Sequence, residues 1–388
     1  MNNQFRELFS NKKFRWVIVP IVAVFIIVII SAIMALSTSQ SNTREEDAFA
    51  TIEPEPVIDD IEEEEPEPYE AEEEEPEDTT PRAILTGLPI EEAYVNRRPI
   101  AVVINNLHRA LPQSGITSAD IIYEVLAEGE VTRLVAIFQS EIPEKIGPVR
   151  STRDYFVDFA FNHDSIFVHH GGSPTGYSRV RDSGVAALDG MNLEGSVFWR
   201  DRTYPSWHWN SGTRPLEHSS YTSRERLERH IESREIRYEI NDNPDFGFTF
   251  SDTIPIPATD FAARVTVPFS AGYTRTFVLD PETRLYMVSN RHGTHDDAET
   301  REQAAVTNIL IQQTEKRVID NAGRRSVTTI GEGTGYFITD GLVRPVTWTR
   351  ESLTSPMRWY FENGEPLVMQ PGRTWINVLQ SNAAVVFE

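Results

Sequence analysis

The stretch PIAVVINN, residues 99–106, predicts a β-strand that is buried on both faces. Five apolar residues follow Pro99 without a polar interruption, and a short continuous apolar run of this kind is typical of an enclosed strand. Asn105 and Asn106 end the run. We therefore expect both amides at the carboxyl end of this strand.

Strand and helix patterns alternate beyond this stretch. The strand segments are rich in β-branched and aromatic residues, and the predicted helices open on serines that suit the N-cap position. The capping box at Ser151–Asp154 and the pair Ser173–Pro174 are two such starts. This alternation predicts an α/β domain over residues 82–243. Its further strands are predicted at 121–127, 133–139 and 165–170, and its closing helix at 223–235.

The pattern changes after the turn cluster NDNPD at residues 241–245. Strand patterns dominate from there, with one helix predicted near 297–305 and a hairpin turn at 280–283. Residues 244–388 are therefore predicted to form a mostly β domain, which makes the folded part α+β overall. The strands are predicted at 263–268, 274–279, 284–289, 306–312, 336–339 and 343–349.

Residues 16–36, WVIVPIVAVFIIVIISAIMAL, contain no charged residue and would span one bilayer as a helix. Four basic residues and one acidic residue precede this run. The positive-inside rule then predicts a single-pass membrane protein with residues 1–15 as a cytoplasmic head and the later domains extracytoplasmic. A cleaved signal peptide is the alternative, although its apolar region would be only about 7–15 residues long.

Residues 37–81 predict a disordered acidic spacer rich in Pro and Glu. Between residues 44 and 80 there are 19 acidic residues and one basic residue, so the segment repels itself and has little apolar surface to bury. The chain has no cysteine, which excludes disulfides, thiolate catalysis and a lipidated cysteine within this sequence.

Several motifs resemble the YerB-like family of bacterial envelope lipoproteins, over most of residues 85–388. The resemblance implies the two domains of that family and an envelope location, but no reaction, because the family has no established activity. Two features differ from the family pattern: a predicted membrane span replaces the usual lipidated cysteine, and Asn105 stands where Asp is more typical. The motifs are PQSGITSADIIYEVLAEGEVTRLVAIFQS at 112–140, IGPVRSTRDYF at 146–156, FVHHGGSP at 167–174, GYFITDGLVRPVTW at 335–348 and NGEPLVMQPGRTWINVL at 363–379.

A group of polar and basic residues predicts an anion-binding site. Arginine and helix N-termini both receive carboxylate or phosphate well, and loops at the carboxyl ends of parallel strands gather into a crevice. The alternative is that Arg150 and Arg153 form a structural ion network with nearby acids. The predicted ligand-binding residues are Arg150, Arg153, His169, His170, Ser173, Asn105, Asn106 and Arg133.

Glu124 and Glu128 form a second candidate group, with His170. Two carboxylates on one face of a strand suit glycoside hydrolysis, where one acts as acid and the other as base or nucleophile. The alternative is a structural pairing with Arg133. No metal site, cofactor or nucleic-acid partner is predicted, because the sequence lacks the required ligand spacing, fingerprint and basic patch.

An aromatic loop, Tyr204 to Trp209, leaves two interpretations open: contact with a carbohydrate, or sealing of a core edge. The sequence as a whole predicts a non-enzymatic envelope module that binds an anionic wall component or a partner protein. A hydrolase that acts on cell-wall polymers is the alternative, and a scaffold is a third possibility. Whether the protein is an enzyme is left open by its sequence.

Overall fold

The computed structural model describes residues 80–388, except for positions 211 and 243. The membrane helix predicted at 16–36, the head at 1–15 and nearly all of the spacer lie outside the described residues. Among the residues that are described, no helix has the length and hydropathy needed to cross a membrane. The predicted fold class, which began with a transmembrane helix, is corrected in that part. Its remainder, an α/β segment followed by a β-rich segment, agrees with the structure.

Helices occupy a small share of the described chain. Short 3-10 helices lie at His108–Ala110, Ile116–Ser118 and Leu216–His218. The α-helices are α1 Glu92–Val95, α2 Asp154–Asn162, α3 Pro174–Ser183, α4 Gly190–Leu193 and α5 Arg224–Ser233.

Strands make up most of the remaining regular structure. They are β1 Ile100–Asn105, β2 Ile121–Glu128, β3 Val131–Phe138, β4 Ile166–His169, β5 Ala187–Asp189, β6 Trp199–Arg200, β7 Ser220–Tyr221, β8 Thr249–Phe250, β9 Asp260–Phe261, β10 Arg264–Ser270, β11 Tyr273–Leu279, β12 Tyr286–Asn290, β13 Gly293–Thr294, β14 Ala305–Val306, β15 Asn308–Thr314, β16 Lys316–Val318, β17 Arg325–Val327, β18 Gly331–Thr339, β19 Leu342–Arg350, β20 Arg358–Phe361, β21 Val368–Met369, β22 Thr374–Gln380 and β23 Val386–Phe387.

The helix starts test the capping predictions. Ser173 caps α3 by accepting a backbone N–H through its hydroxyl, as predicted, and Ser223 caps α5 in the same way. The capping box at Ser151 is wrong, because α2 has Arg153 at its N-cap and no side-chain cap. The helix predicted near 297–305 is also wrong. That segment is a turn in which the Asp297 carboxylate accepts backbone N–H groups.

The main sheet contains eleven strands in the order β20-β19-β18-β15-β22-β2-β3-β1-β4-β5, with β9 paired to β19. Strands β1, β4 and β5 are parallel, whereas β3 is antiparallel to both β1 and β2. All six residues of β1 are buried, as the sequence predicts. Successive side chains point to opposite faces, so Val102 and Ile104 enter one core, and Ala101 and Val103 enter the other.

The two cores have different covers. A second sheet, in the order β13-β12-β11-β10-β23 with β14 on β12, contributes Val265 and Phe277 to the first core. Helix α2 contributes Tyr155, Phe156 and Phe159 to the second core. Both faces of the main sheet are therefore shielded from water, which explains why its central strands read as continuous apolar runs.

Strand β22 joins the two sequence segments. It lies between β2 and β15 and is parallel to both, so residues from either side of position 243 contribute to one sheet. The division into domains at 82–243 and 244–388 stays a prediction, but the hydrogen bonds of β22 connect the two segments through their centre.

Candidate functional site

The carboxyl ends of β1, β4 and β5 meet at one edge of the main sheet, because these strands are parallel neighbours. The Arg150 amide donates to the Val103 carbonyl at 2.8 Å, and the His170 amide donates to the Arg150 carbonyl at 3.0 Å. The Thr152 amide donates to the Gly171 carbonyl at 2.9 Å. The loops that carry Arg150 and Gly171 therefore lie together at these strand ends.

Glu124 is fully buried on β2 and is surrounded by donors. Arg275 donates to its two carboxylate oxygens from Nε at 2.8 Å and from Nη2 at 3.0 Å. The indole Nε1 of Trp375 donates to the same carboxylate at 3.0 Å. Asn106 Nδ2 and Thr132 Oγ1 donate to it at 3.0 and 2.8 Å. These donors fill the roughly four lone-pair sites of a carboxylate, so Glu124 has none left for a substrate proton.

Glu128 belongs to a different network from Glu124. The register of β2 against β3 shifts between Leu126 and Glu128, and this bulge turns Glu128 toward the opposite face. Its carboxylate pairs with Arg133 at 2.8 Å and with Arg153. The prediction that the two glutamates share one face is wrong, because the bulge interrupts the alternation. The structural ion network, which was the alternative for Arg153, is present.

His170 uses both of its ring nitrogens. Nδ1 lies 2.8 Å from Ser220 Oγ, and Nε2 lies 2.9 Å from Nη2 of Arg200. The guanidinium can only donate, so Nε2 accepts and Nδ1 carries the proton. Burial, and then the charge of Arg200, lower the pKa of His170, which keeps the ring neutral at pH 7. No ring nitrogen is free to take a proton from a substrate.

Other predicted ligand residues are also engaged within the protein. His169 Nδ1 lies 2.9 Å from the Gly171 carbonyl. Ser173 holds the N-cap of α3, where its hydroxyl accepts a backbone N–H at 3.0 Å. Asn105 Nδ2 lies 2.7 Å from Nδ1 of His218. These contacts shape the loops, and they leave these three side chains with structural roles.

Arg150 differs because much of its guanidinium has no partner. Nη1 donates to the Glu217 carbonyl at 3.0 Å, and no carboxylate among the described residues forms an ion pair with it. The pKa of Arg150 is lowered overall, and burial is the largest cause. The Glu217 carboxylate acts in the opposite direction, whereas the charge of Arg200 lowers this pKa further. The half-buried cation has therefore lost hydration, and the Glu217 carboxylate compensates that loss only in part. An anion bound beside it would compensate the rest.

The site around Arg150 is a surface site. Two cavities of about 330 Å³ lie elsewhere, one beside Phe161 and Phe246 and the other between Asp154 and Arg179. Arg150 lines neither of them. A ligand that reaches Arg150 would therefore lie outside both of these cavities.

Arg275 and Arg200 were not among the predicted site residues. Arg275 occupies an inward position of β11, in the alternation Tyr273, Arg275, Phe277. A charged residue at an apolar position of a strand signals a buried partner, and this signal was present in the sequence. Arg200 carries no comparable signal, because β6 is a two-residue strand in an irregular segment.

Comparison with known proteins identifies the family. The N-terminal domain of a protein of unknown function, DUF3048, matches residues 85–237, and the C-terminal domain of the same family matches residues 265–376. "Putative lipoprotein YerB" from Bacillus subtilis (strain 168) is 35% identical over 303 residues, which cover 77% of this chain and 86% of the relative. This chain belongs to the YerB-like family.

A crystal structure of the YerB protein from Bacillus subtilis supports the same conclusion. It aligns with a TM-score of 0.68 at 33% sequence identity, and the alignment covers 79% of this chain and 99% of that one. The resemblance drawn from the motifs is confirmed. Family membership brings a fold but no activity, so the evidence for a function of this YerB-like chain lies in its site.

Proposed function

We propose that this protein is a membrane-associated, extracytoplasmic binding module of the cell envelope. Its ligand is an anionic wall component or an anionic segment of a partner protein. The name of the Bacillus subtilis relative, a lipoprotein, supports an envelope location. The present sequence contains no cysteine, so its own attachment does not use a lipidated cysteine of these 388 residues.

Arg150 supports this proposal because its guanidinium remains available to a ligand. The three candidates for acid–base chemistry are all engaged by other protein groups: Glu124 and His170 use their lone pairs in hydrogen bonds, and Glu128 is ion-paired with two arginines. Arg150 alone among the predicted ligand arginines combines a half-buried position with no ion pair to a described carboxylate. A site that offers a cation and no free base favours binding over catalysis.

Arginine also explains the ligand class. Its planar guanidinium presents several N–H groups that match carboxylate and phosphate oxygens, and hydrogen bonds of this charge-assisted kind are about twice as strong as neutral ones. The His218 ring lies beside this region, and burial followed by Arg150 lowers the pKa of His218. An anion is the ligand that the positive charge of Arg150 would receive favourably.

The test is retention of the full-length protein on purified cell wall, measured by co-sedimentation over a range of protein concentrations. We expect Arg150→Ala to weaken retention about tenfold, which corresponds to one charge-assisted hydrogen bond of about 1.4 kcal/mol. Raising the salt concentration should weaken the wild type more than the variant. Arg181→Ala is the matched control, because Arg181 is 71% exposed and pairs with Asp182.

Equal retention of wild type and Arg150→Ala would overturn the proposal. So would retention of the wild type that does not change with salt, because an ionic contact at a partly exposed site is screened by added ions. The Arg181→Ala control separates loss of the specific contact from a general loss of positive charge.

A further inference from the structure

Three exposed aromatic side chains meet beside the candidate site. The ring centroids of His108 and Trp209 are 5.9 Å apart with planes 5° apart, and those of His108 and His292 are 5.4 Å apart at 26°. The centroids of Trp209 and His292 are 6.2 Å apart at 30°. The three rings thus form a triangle with nearly parallel planes rather than a column. Trp209 is 53% exposed and its ring centroid also lies 4.8 Å from that of His208, so about half of the side chain remains accessible to a ligand.

The loop that carries Trp209 is fixed to the 3-10 helix at His108–Ala110. Asn210 Nδ2 donates to the His108 carbonyl at 3.0 Å and to the Leu111 carbonyl at 2.6 Å. Tyr204 donates its hydroxyl proton to the Arg109 carbonyl at 2.7 Å. These contacts fix the loop on both sides of Trp209. The rings are therefore in position before a ligand arrives, which reduces the entropy cost of binding.

A cavity of about 180 Å³ opens next to these rings, and His108 and His292 line it. Glu130 and Asn290 add polar groups to its wall, and Leu111 adds an apolar surface. Ligand pockets for drug-sized molecules are larger, at about 300–1,000 Å³. This cavity suits one small ring or substituent of a longer molecule whose remainder stays outside.

The chemistry of the rings selects among ligand classes. Metal binding would need ring nitrogens that converge, whereas these planes are nearly parallel, and no group of three or more His, Asp or Glu suited to a metal ion occurs among the described residues. Burial, followed by the charges of Arg291 and His108, lowers the pKa of His292, so that ring is neutral at pH 7. The Glu130 carboxylate offsets the charge of Arg291 at the cavity wall, so the cavity offers an anion little net attraction.

We infer that His108, Trp209 and His292, together with this cavity, form a binding site for an N-acetylhexosamine unit of a glycan. A pyranose has one face of C–H groups that packs on an aromatic ring and a rim of hydroxyls that bonds to polar side chains. Glu130 and Asn290 supply that polar contact at the cavity wall. The apolar surface at Leu111 suits the methyl of the acetamido group. This site is separate from Arg150 and does not depend on the proposed anion binding.

The test uses the full-length protein and a β-1,4-linked tetramer of N-acetylglucosamine, with affinity measured by isothermal titration calorimetry. We expect measurable binding by the wild type and about tenfold weaker binding by Trp209→Ala, since loss of one stacking contact costs on that order. Trp209→Phe should retain most of the affinity. Phe261→Ala is the matched control, because Phe261 is a similarly exposed aromatic residue, at 55%, on β9.

Several outcomes would overturn the inference. They are the absence of tetramer binding by the wild type at millimolar concentration, equal binding by Trp209→Ala and the wild type, and equal losses from Phe261→Ala and Trp209→Ala. Thermal unfolding of Trp209→Ala checks that the variant is folded. Arg150→Ala should bind the tetramer like the wild type, so failure of this site is distinguishable from failure of the anion site.

Discussion

Glu124 and Arg275 illustrate how a residue's role depends on partners that are distant in sequence. Glu124 was a candidate acid or base because of its neighbours in the chain. In the structure it is fully buried and bidentately paired with Arg275, 151 residues away. Charge burial of this kind requires complete pairing, because an isolated buried charge is very costly. The pair connects β2 of the main sheet with β11 of the second sheet.

Replacing Glu124 by Gln should therefore destabilise the protein strongly. The substitution preserves the side-chain volume but leaves Arg275 buried without a counterion, which costs about 3–5 kcal/mol of unfolding free energy. Urea denaturation of wild type and variant measures this difference. The exposed Glu351→Gln serves as control and should change stability by less than about 0.5 kcal/mol. A Glu124→Gln variant with the urea midpoint of the wild type would contradict this account of the pair.

His163 gives a pH dependence at the same scale. It is fully buried, and its Nε2 lies 2.8 Å from the Tyr123 hydroxyl. Burial, and then the charge of Arg350, lower the pKa of His163 from 6.5 to about 3. Between these two pH values the unfolded chain binds a proton that the folded protein does not, so acid favours unfolding.

The wild type should lose stability from His163 as the pH falls from 6.5 toward 3, at about 1.4 kcal/mol per pH unit. His163→Gln removes this titration, so its unfolding free energy should decline less steeply. Urea unfolding of both proteins is measured at about pH 7, 5.5 and 4.5. The contributions of other titrating groups to the unfolding free energy cancel in the difference between the two proteins. Parallel pH profiles would show that His163 is not buried in its neutral form.

At the scale of elements, the N-cap contacts show which of two predicted roles Ser173 has in the structure. The residue was predicted both to start a helix and to bind a ligand. Its hydroxyl accepts the Gly176 amide at 3.0 Å, so it acts as the cap of α3. Ser223 has the same contact with the Arg226 amide at 3.3 Å on α5. The second cap provides a comparison with no connection to the candidate site.

Ser173→Ala and Ser223→Ala should each lower the unfolding free energy by about 1 kcal/mol, and Ser173→Gly by only a few tenths. Urea denaturation measures both effects. Retention on cell wall should be unchanged in Ser173→Ala, because the hydroxyl is used inside the protein. If Ser173→Ala kept full stability but lost wall retention, Ser173 would be a ligand residue instead.

Elements were predicted best where local sequence controls them. The apolar run of β1 and the alternation in β10 and β11 are local properties, and these strands are found close to the predicted positions. The bulge in β2 was not predicted, because it depends on pairing with β3. That single register shift separates Glu128 from Glu124, so the predicted catalytic pair could not be judged from spacing alone.

At the scale of the whole molecule, the position of β22 matters most. It is the last long strand of the chain, yet it lies inside the main sheet between β2 and β15. A linear reading of the sequence places it in a separate β-rich domain. Long-range parallel pairing leaves no local signal, which explains why the sheet that joins the two segments could not be predicted.

Truncation tests this arrangement. A chain that ends at residue 367 lacks β22, so β2 and β15 lose their shared neighbour, and cooperative unfolding should disappear. A chain that ends at residue 383 lacks only β23, which pairs with β10 at the edge of the second sheet, and it should still unfold cooperatively. Thermal unfolding followed by circular dichroism distinguishes them. A cooperatively folded chain that ends at residue 243 would show that the first segment folds alone.

The proposed binding module would bind its ligand at the cell envelope without altering it. The direct measurement is incubation of the full-length protein with purified cell wall, followed by assay of the supernatant for soluble sugar and peptide fragments. We predict that the protein sediments with the wall and that no fragments are released. Release of fragments by the wild type, abolished in Glu128→Gln, would contradict this claim and establish a hydrolase.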